Sequence, residues 1–139
     1  MALAVVSALI AVFWELLPPY GVRPPFGLPG AAGEGDIGQH FPPGDPATKG
    51  IDSRELLTRV VRLVVARGYR VHNVDATVIA ERPRLSTHIA PMRESIARCL
   101  GIASSCVNVK ATTHERFGSL GSGEALAALA VALIEDADA

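Results

Sequence analysis

Thr112 and Thr113, followed by Glu115, form a short run of hard oxygen donors within Ala111-Thr-Thr-His-Glu115. Adjacent hydroxyls and exposed backbone N–H groups suit the oxygens of a diphosphate. A carboxylate two residues on suits a Mg²⁺ or Mn²⁺ ion shared with those phosphates. A plain polar turn, with the threonines capping the backbone, accounts for the same residues. A second run, Ala80-Glu-Arg-Pro-Arg-Leu-Ser86, sets two guanidiniums beside a proline. Arg82 and Arg84 can grip phosphate, or they can stand solvated in a turn. A third run, Gly35-Asp-Ile-Gly38, places Asp36 between glycines, where backbone can approach a ligand closely.

These runs need elements to position them, and the chain supplies them in order. Asp52 or Ser53 can cap a helix in which Leu56, Val60, Leu63 and Val64 recur at helical spacing, with Leu57 and Val61 widening the stripe. Gly68 suits the residue just past its end. Val71–Ala80 alternates and is rich in β-branched residues, which predicts a strand running into the Pro83 loop. Ile89, Met92, Ile96 and Leu100 predict a second helix, closed by Gly101. Val107–Ala111 predicts a second strand, running into the Thr-Thr loop. Phe117–Gly123 is glycine-rich, and the alanine- and leucine-rich Glu124–Ile134 predicts a final helix. The order helix, strand, helix, strand, helix gives an α/β class, an α+β sandwich with helices on one face of a small mixed sheet.

With 139 residues the chain fits one domain. A net charge of −1 gives no field that would gather nucleic acid or an acidic membrane surface, so any phosphate site must be local. The 5% aromatic content leaves few platforms for stacking single-stranded nucleic acid. Cys99 and Cys106 lack a CxxC or His-rich partner set and read as buried thiols of a reducing compartment. The expectations are therefore no nucleic-acid partner, no membrane attachment and a cytoplasmic setting. Residues 18–30 carry Pro18, Pro19, Pro24, Pro25 and three glycines, which break regular structure. Before them, Ala2–Trp14 is nearly all apolar, shorter than a membrane span and without the basic start of a signal peptide. Residues 1–30 are therefore expected to form a divergent leader outside the fold, with the domain over residues 31–139.

The segments Asn73-Val-Asp-Ala-Thr-Val-Ile-Ala80, His88-Ile-Ala-Pro-Met-Arg93 and Val107-Asn-Val-Lys-Ala-Thr-Thr113, with Gly35-Asp-Ile-Gly38 ahead of them, occur in an order and at intervals that resemble the 2-C-methyl-D-erythritol 2,4-cyclodiphosphate synthases. The resemblance covers about residues 31–134. It implies a homotrimeric lyase of non-mevalonate isoprenoid synthesis, cytoplasmic in bacteria and plastidial in plants or algae. Its substrate is a cytidine diphosphate-linked methylerythritol phosphate. The 2-phosphate attacks the β-phosphate, which gives the cyclic diphosphate and releases CMP. By the resemblance, Ala80, Pro83, Arg84, Leu85 and Ser86 hold the cytidine nucleotide. Ala111, Thr112, Thr113 and Glu115 bind its phosphates, Thr113 stabilises the transition state, and Glu115 meets a Mg²⁺ or Mn²⁺ ion. Asp36, Ile37, Gly38, Phe41 and Asp45 hold the erythritol-phosphate end.

The resemblance also implies a zinc ion, held near the start of the family's chain by an Asp-x-His pair and a further histidine. Residues 1–30 contain no histidine and no aspartate, so no zinc ligands are found there. His40, His72, His88 and His114 are dispersed, which suits solvated or structural roles. Ser122 stands where the family commonly has arginine in a Gly-Arg-Gly-Glu string, and Ser119 stands where an aromatic is usual. The expectation is a truncated member that lacks zinc, associates less stably and turns over little. The alternative is a non-catalytic cytidine-nucleotide-binding or assembly subunit.

Overall fold

The structure is a computed structural model that describes residues 2–5, 32–33, 35, 37–42 and 44–138. It contains β1 (Ala2–Val5), a one-turn α1 (Ile37–His40), α2 (Ser53–Ala66), β2 (Tyr69–Ile79), α3 (Ile89–Leu100), β3 (Val107–Thr112), a one-turn α4 (Gly118–Gly121) and β4 (Ala127–Asp136). The sheet order is β1-β4-β2-β3. β2 and β3 run parallel, while β4 lies antiparallel to both β2 and β1.

Local chemistry explains the helices. The Asp52 carboxylate accepts the Arg54 N–H at 2.8 Å and starts α2. Leu56, Leu57, Val60 and Val64 lie on one buried face of that helix. Gly68, at φ +79°, provides the left-handed residue that turns the chain into β2. Met92, Ile96, Ala97 and Leu100 make the buried face of α3, and Gly101 ends it in the left-handed region. α3 is also the crossover that a parallel β2–β3 pair requires. Both helices pack on one face of the sheet, against Val71, Val74, Ala76, Val78, Val107, Val109, Ala130, Ala132 and Ile134. Fully burying a side chain such as Val60 or Ile96 stabilises the fold by about 1.5–3 kcal/mol.

β2 carries a bulge. Val71 pairs with Ile134 and Asn73 with Leu133, so His72 is an extra residue on one strand. The burial pattern records it: Val71 and Val74 point inward, with His72 and Asn73 both exposed between them.

The helix predicted over Glu124–Ile134 does not form; the segment makes β4. Alanine and leucine favour a helix by weak intrinsic preference, but β4 is hydrogen-bonded to strands on both sides, and tertiary pairing overrides that preference. The period was visible all the same. Ala128, Ala130, Ala132 and Ile134 face the helices, while Leu129, Val131, Leu133 and Glu135 face away. Of the residues expected to form a leader, Ala2–Val5 pair with Val131–Ile134 of β4. The remainder of residues 1–30 lies outside the described residues. Among the described residues, no helix is long and apolar enough to cross a membrane.

The face of the sheet turned away from the helices is mixed. Leu129 and Val131 are 58% and 39% exposed. Beside them, Asp75 accepts hydrogen bonds from Lys110 Nζ at 2.6 Å and Asn108 Nδ2 at 2.7 Å across the β2–β3 pair. The Lys110 bond first, and the Asn108 bond second, hold the Asp75 carboxyl below its ordinary value of 3.8. At the far end of β2, Glu135 takes a hydrogen bond from His72 at 3.1 Å and an ion pair from Arg70 at 2.9 Å.

Two outcomes follow from this packing. Ile96→Ala should lower the unfolding free energy by about 2–5 kcal/mol, read from urea denaturation, because a fully buried side chain leaves a cavity. Because the folded pKa of Asp75 is depressed, its contribution is complete above the unfolded aspartate pKa and disappears as pH falls through the lower folded value. Lys110→Met should move the Asp75 titration back up toward its ordinary value by carboxyl NMR. An unmoved titration would show that the cross-strand pair does not hold the carboxylate.

Candidate active site

The two predicted loops leave the same end of the sheet. β2 and β3 pair in parallel from Val74↔Val107 to Ile79↔Thr112. The pairing closes on a last hydrogen bond, from the Ala80 N–H to the Thr112 carbonyl at 3.0 Å. Ala80–Ser86 and Thr112–Glu115 therefore emerge side by side at the C-terminal ends of adjacent parallel strands, where open α/β sheets place their ligands.

The first loop is pinned from below. Ala80 and Leu85 are buried at 7% and 4% exposure, while Arg82, Pro83, Arg84 and Ser86 are exposed. The Arg82–Pro83 peptide is cis. The His88 N–H donates to the Leu85 carbonyl at 2.9 Å and joins the loop to the start of α3. Two guanidiniums are thus presented on a short backbone anchored at both ends. Sequence reading passed over Glu81, whose Oε2 is buried with no hydrogen-bond partner among the described residues. Its position directly after a buried strand end was the available signal.

The second loop is exposed throughout and shaped by hydrogen bonds. The Thr113 hydroxyl donates to Glu115 Oε1 at 3.1 Å and accepts the Glu115 N–H at 3.3 Å. The Phe117 N–H donates to the His114 carbonyl at 2.9 Å, which closes a turn. The central residues of that turn, Glu115 and Arg116, have φ values of +50° and +64°. This is the sign pattern of a type I′ turn, made without the usual Asn or Gly. Each such non-glycine residue costs about 1–2 kcal/mol. His114 Nδ1 lies 2.7 Å from the Phe117 carbonyl. A carbonyl can only accept, so Nδ1 carries the hydrogen.

The third segment is placed apart in sequence, ahead of α2. Asp36 lies outside the described residues, and Ile37 and Gly38 open the one-turn α1. Phe41 packs against the core. Asp45 Oδ1 accepts the Ala47 N–H at 2.9 Å and caps the 3₁₀ turn Pro46–Thr48. The ladder brings together Ala80–Ser86 and Ala111–Glu115; Gly38, Phe41 and Asp45 are not joined to them by it.

The donors differ between metals. Thr113 and Glu115 supply a hydroxyl and a carboxylate, hard oxygen donors of the kind that suit a Mg²⁺-type ion. Among the described residues, no three His, Cys, Asp or Glu side chains are grouped to hold a metal ion. A zinc site built from the described residues therefore does not fit this structure.

Leu85→Ala should free the first loop. Amide hydrogen exchange should rise at Arg82, Arg84 and Ser86 while the central residues of β2 stay protected. Unchanged exchange in the loop would show that the buried leucine is not its anchor.

Comparison with known proteins identifies the family and the fold. A family model described as the YgbB family matches residues 27–135. The chain is 61% identical over 108 residues to the 2-C-methyl-D-erythritol 2,4-cyclodiphosphate synthase of Thioalkalivibrio sulfidiphilus (strain HL-EbGR7), a match covering 78% of this chain and 68% of that protein. It is 58% identical over 108 residues to the enzyme of the same name from Alkalilimnicola ehrlichii (strain ATCC BAA-1101 / DSM 17681 / MLHE-1), covering 78% and 66%. The chain thus spans about two thirds of the length of these curated relatives. Among solved structures, the CDP complex of IspF from Plasmodium falciparum superposes with a TM-score of 0.68 at 31% identity, covering 78% of this chain and 65% of that one. The bifunctional IspDF from Campylobacter jejuni superposes with a TM-score of 0.74 at 35% identity, covering 81% and 31%. The paired loops at one sheet end, the shared fold and a match running almost to the C-terminus lead to one assignment: the chain belongs to the YgbB family, that of the 2-C-methyl-D-erythritol 2,4-cyclodiphosphate synthases.

Proposed function

We propose that residues 31–139 form a cyclodiphosphate-synthase domain whose two strand-end loops bind a cytidine diphosphate-linked methylerythritol phosphate. The reaction is closure of the substrate on itself. The 2-phosphate oxygen bonds to the β-phosphorus, the bond from that phosphorus to the CMP oxygen breaks, and CMP leaves with the electron pair. Such a displacement needs the two phosphates held together and their charge offset. Ala80, Pro83, Arg84, Leu85 and Ser86 take the cytidine side, and Ala111, Thr112, Thr113 and Glu115 the diphosphate. Asp36, Ile37, Gly38, Phe41 and Asp45 take the methylerythritol end. The Thr113 hydroxyl donates to charge developing on the phosphate oxygens. A Mg²⁺ or Mn²⁺ ion held by Glu115 and the substrate would neutralise phosphate charge when bound.

The observation that supports this reading is the Ala80–Thr112 hydrogen bond, which sets the loops Ala80–Ser86 and Thr112–Glu115 side by side. The CDP-bound relatives of the same fold support the nucleotide class. The exposed Leu129 and Val131 on the open sheet face support association with further copies, a homotrimer by resemblance. The two free cysteines support the reading of a cytoplasmic setting.

A second reading has a specific observation behind it. Residues 1–30 contain no histidine and no aspartate, and that favours the alternative of a non-catalytic cytidine-nucleotide-binding or assembly subunit.

Calorimetry with CDP, with and without Mg²⁺, together with an assay of CMP release, separates the readings. Binding strengthened by Mg²⁺ supports the site, and turnover supports the enzyme. Binding without turnover supports the second reading, and no binding under any condition rejects both. Glu115→Gln should abolish the Mg²⁺ dependence and leave the nucleotide-base contacts mostly intact. Where turnover is measured, Thr113→Ala should lower kcat by about 10²–10³-fold, the usual loss for a removed transition-state donor.

A further inference from the structure

The turn that bears Glu115 is held from two directions that the reaction chemistry does not require. From the front, the His114 Nδ1–H spans the turn to the Phe117 carbonyl at 2.7 Å, parallel to the backbone bond from the Phe117 N–H to the His114 carbonyl at 2.9 Å. Residue 114 is thus tied to residue 117 twice, once through backbone and once through its ring. From behind, Gly121 of α4 is buried against the backbone of Arg116. A Cβ built on Gly121 would collide with the Arg116 carbonyl carbon and Cα and lie 2.9 Å from its oxygen. The Gly121 N–H donates to the Phe117 carbonyl at 3.0 Å, so that oxygen receives both the ring and α4. Between these supports lie two non-glycine residues at positive φ, a conformation that Glu and Arg adopt only when their surroundings impose it.

We infer that His114 is a positioning residue for the Glu115 carboxylate. Its ring and the close approach at Gly121 together impose the left-handed turn that aims Glu115 back at the Thr113 hydroxyl. This rests on the reading of Thr113 and Glu115 as the diphosphate and metal contacts. The His114 ring touches no reacting atom; it acts through the Phe117 carbonyl. The effect requires a hydrogen-bond donor at the Nδ1 position and nothing else of the imidazole, so asparagine, whose amide nitrogen reaches the same distance along the side chain, should replace it.

The test uses the full chain and two readouts. Without ligand, NMR follows the backbone coupling constants of Glu115 and Arg116 and the amide exchange of Phe117. With ligand, calorimetry follows CDP affinity with and without Mg²⁺. His114→Ala should relax the turn, speed Phe117 exchange at least fivefold and cut the Mg²⁺-dependent gain in CDP affinity at least fivefold. Metal-free CDP affinity should stay within twofold. His114→Asn should restore both readouts to within twofold of wild type. Gly121→Ala should displace the turn as His114→Ala does; if that variant does not fold, the His114 pair decides alone. A wild-type-like turn and metal dependence in His114→Ala overturns the inference while leaving the site reading intact. A turn that relaxes in a protein whose wild type never binds CDP overturns the site reading, and with it any role for His114 in aiming Glu115.

Discussion

The parallel pairing of β2 with β3 is the constraint on which the rest depends. β2 is hydrogen-bonded on both sides and buries Val74, Ala76 and Val78 beneath the helices. Side chains alternate with a period of two, so a slip of one residue would turn those positions to solvent and bring Asp75 and Thr77 inward. That penalty fixes the register. The register in turn fixes where each strand stops, and both stop at the Ala80–Thr112 bond. The closeness of the two loops is therefore a result of core packing and strand register, closed by the Ala80–Thr112 hydrogen bond.

The loops nevertheless differ in what gives them shape. Ala80–Ser86 is held by apolar side chains sunk into the core. Thr113–Phe117 has no buried residue and depends on hydrogen bonds among its own groups and on contact with α4. Segments held mainly by exposed hydrogen bonds open at lower free energy than those anchored in a core. The two loops that share one end of the sheet are thus held by different means, the first by burial and the second by hydrogen bonds.

The parts legible in sequence were those governed by local rules. Asp52 and Gly68 bracket α2, Gly101 ends α3, and the β-branched run marks β2, because caps and periodicity act within a few residues. β4 was misread because its alanines carry helix preference, while the signal that mattered, small residues alternating with large ones, acts through neighbours distant in sequence. The candidate loops were legible by composition, and their adjacency follows once the strands are parallel. The left-handed turn at Glu115 and Arg116 was not legible: neither residue favours that conformation, and the contact at Gly121 that supports it is tertiary. Asp45 has a legible local role besides the one the resemblance implies: it caps a 3₁₀ turn, which its neighbour Pro46 signals.

The bulge at His72 divides β2 into two lengths with independent phase. Below it, Arg70 and His72 answer to Glu135; above it, Val74, Ala76 and Val78 answer to the helices. The extra residue resets the alternation, so that Val71 and Val74 both face the helices although three positions separate them. Each length keeps its own inward phase, and one continuous strand serves the ion pairs at one end and the packed core at the other.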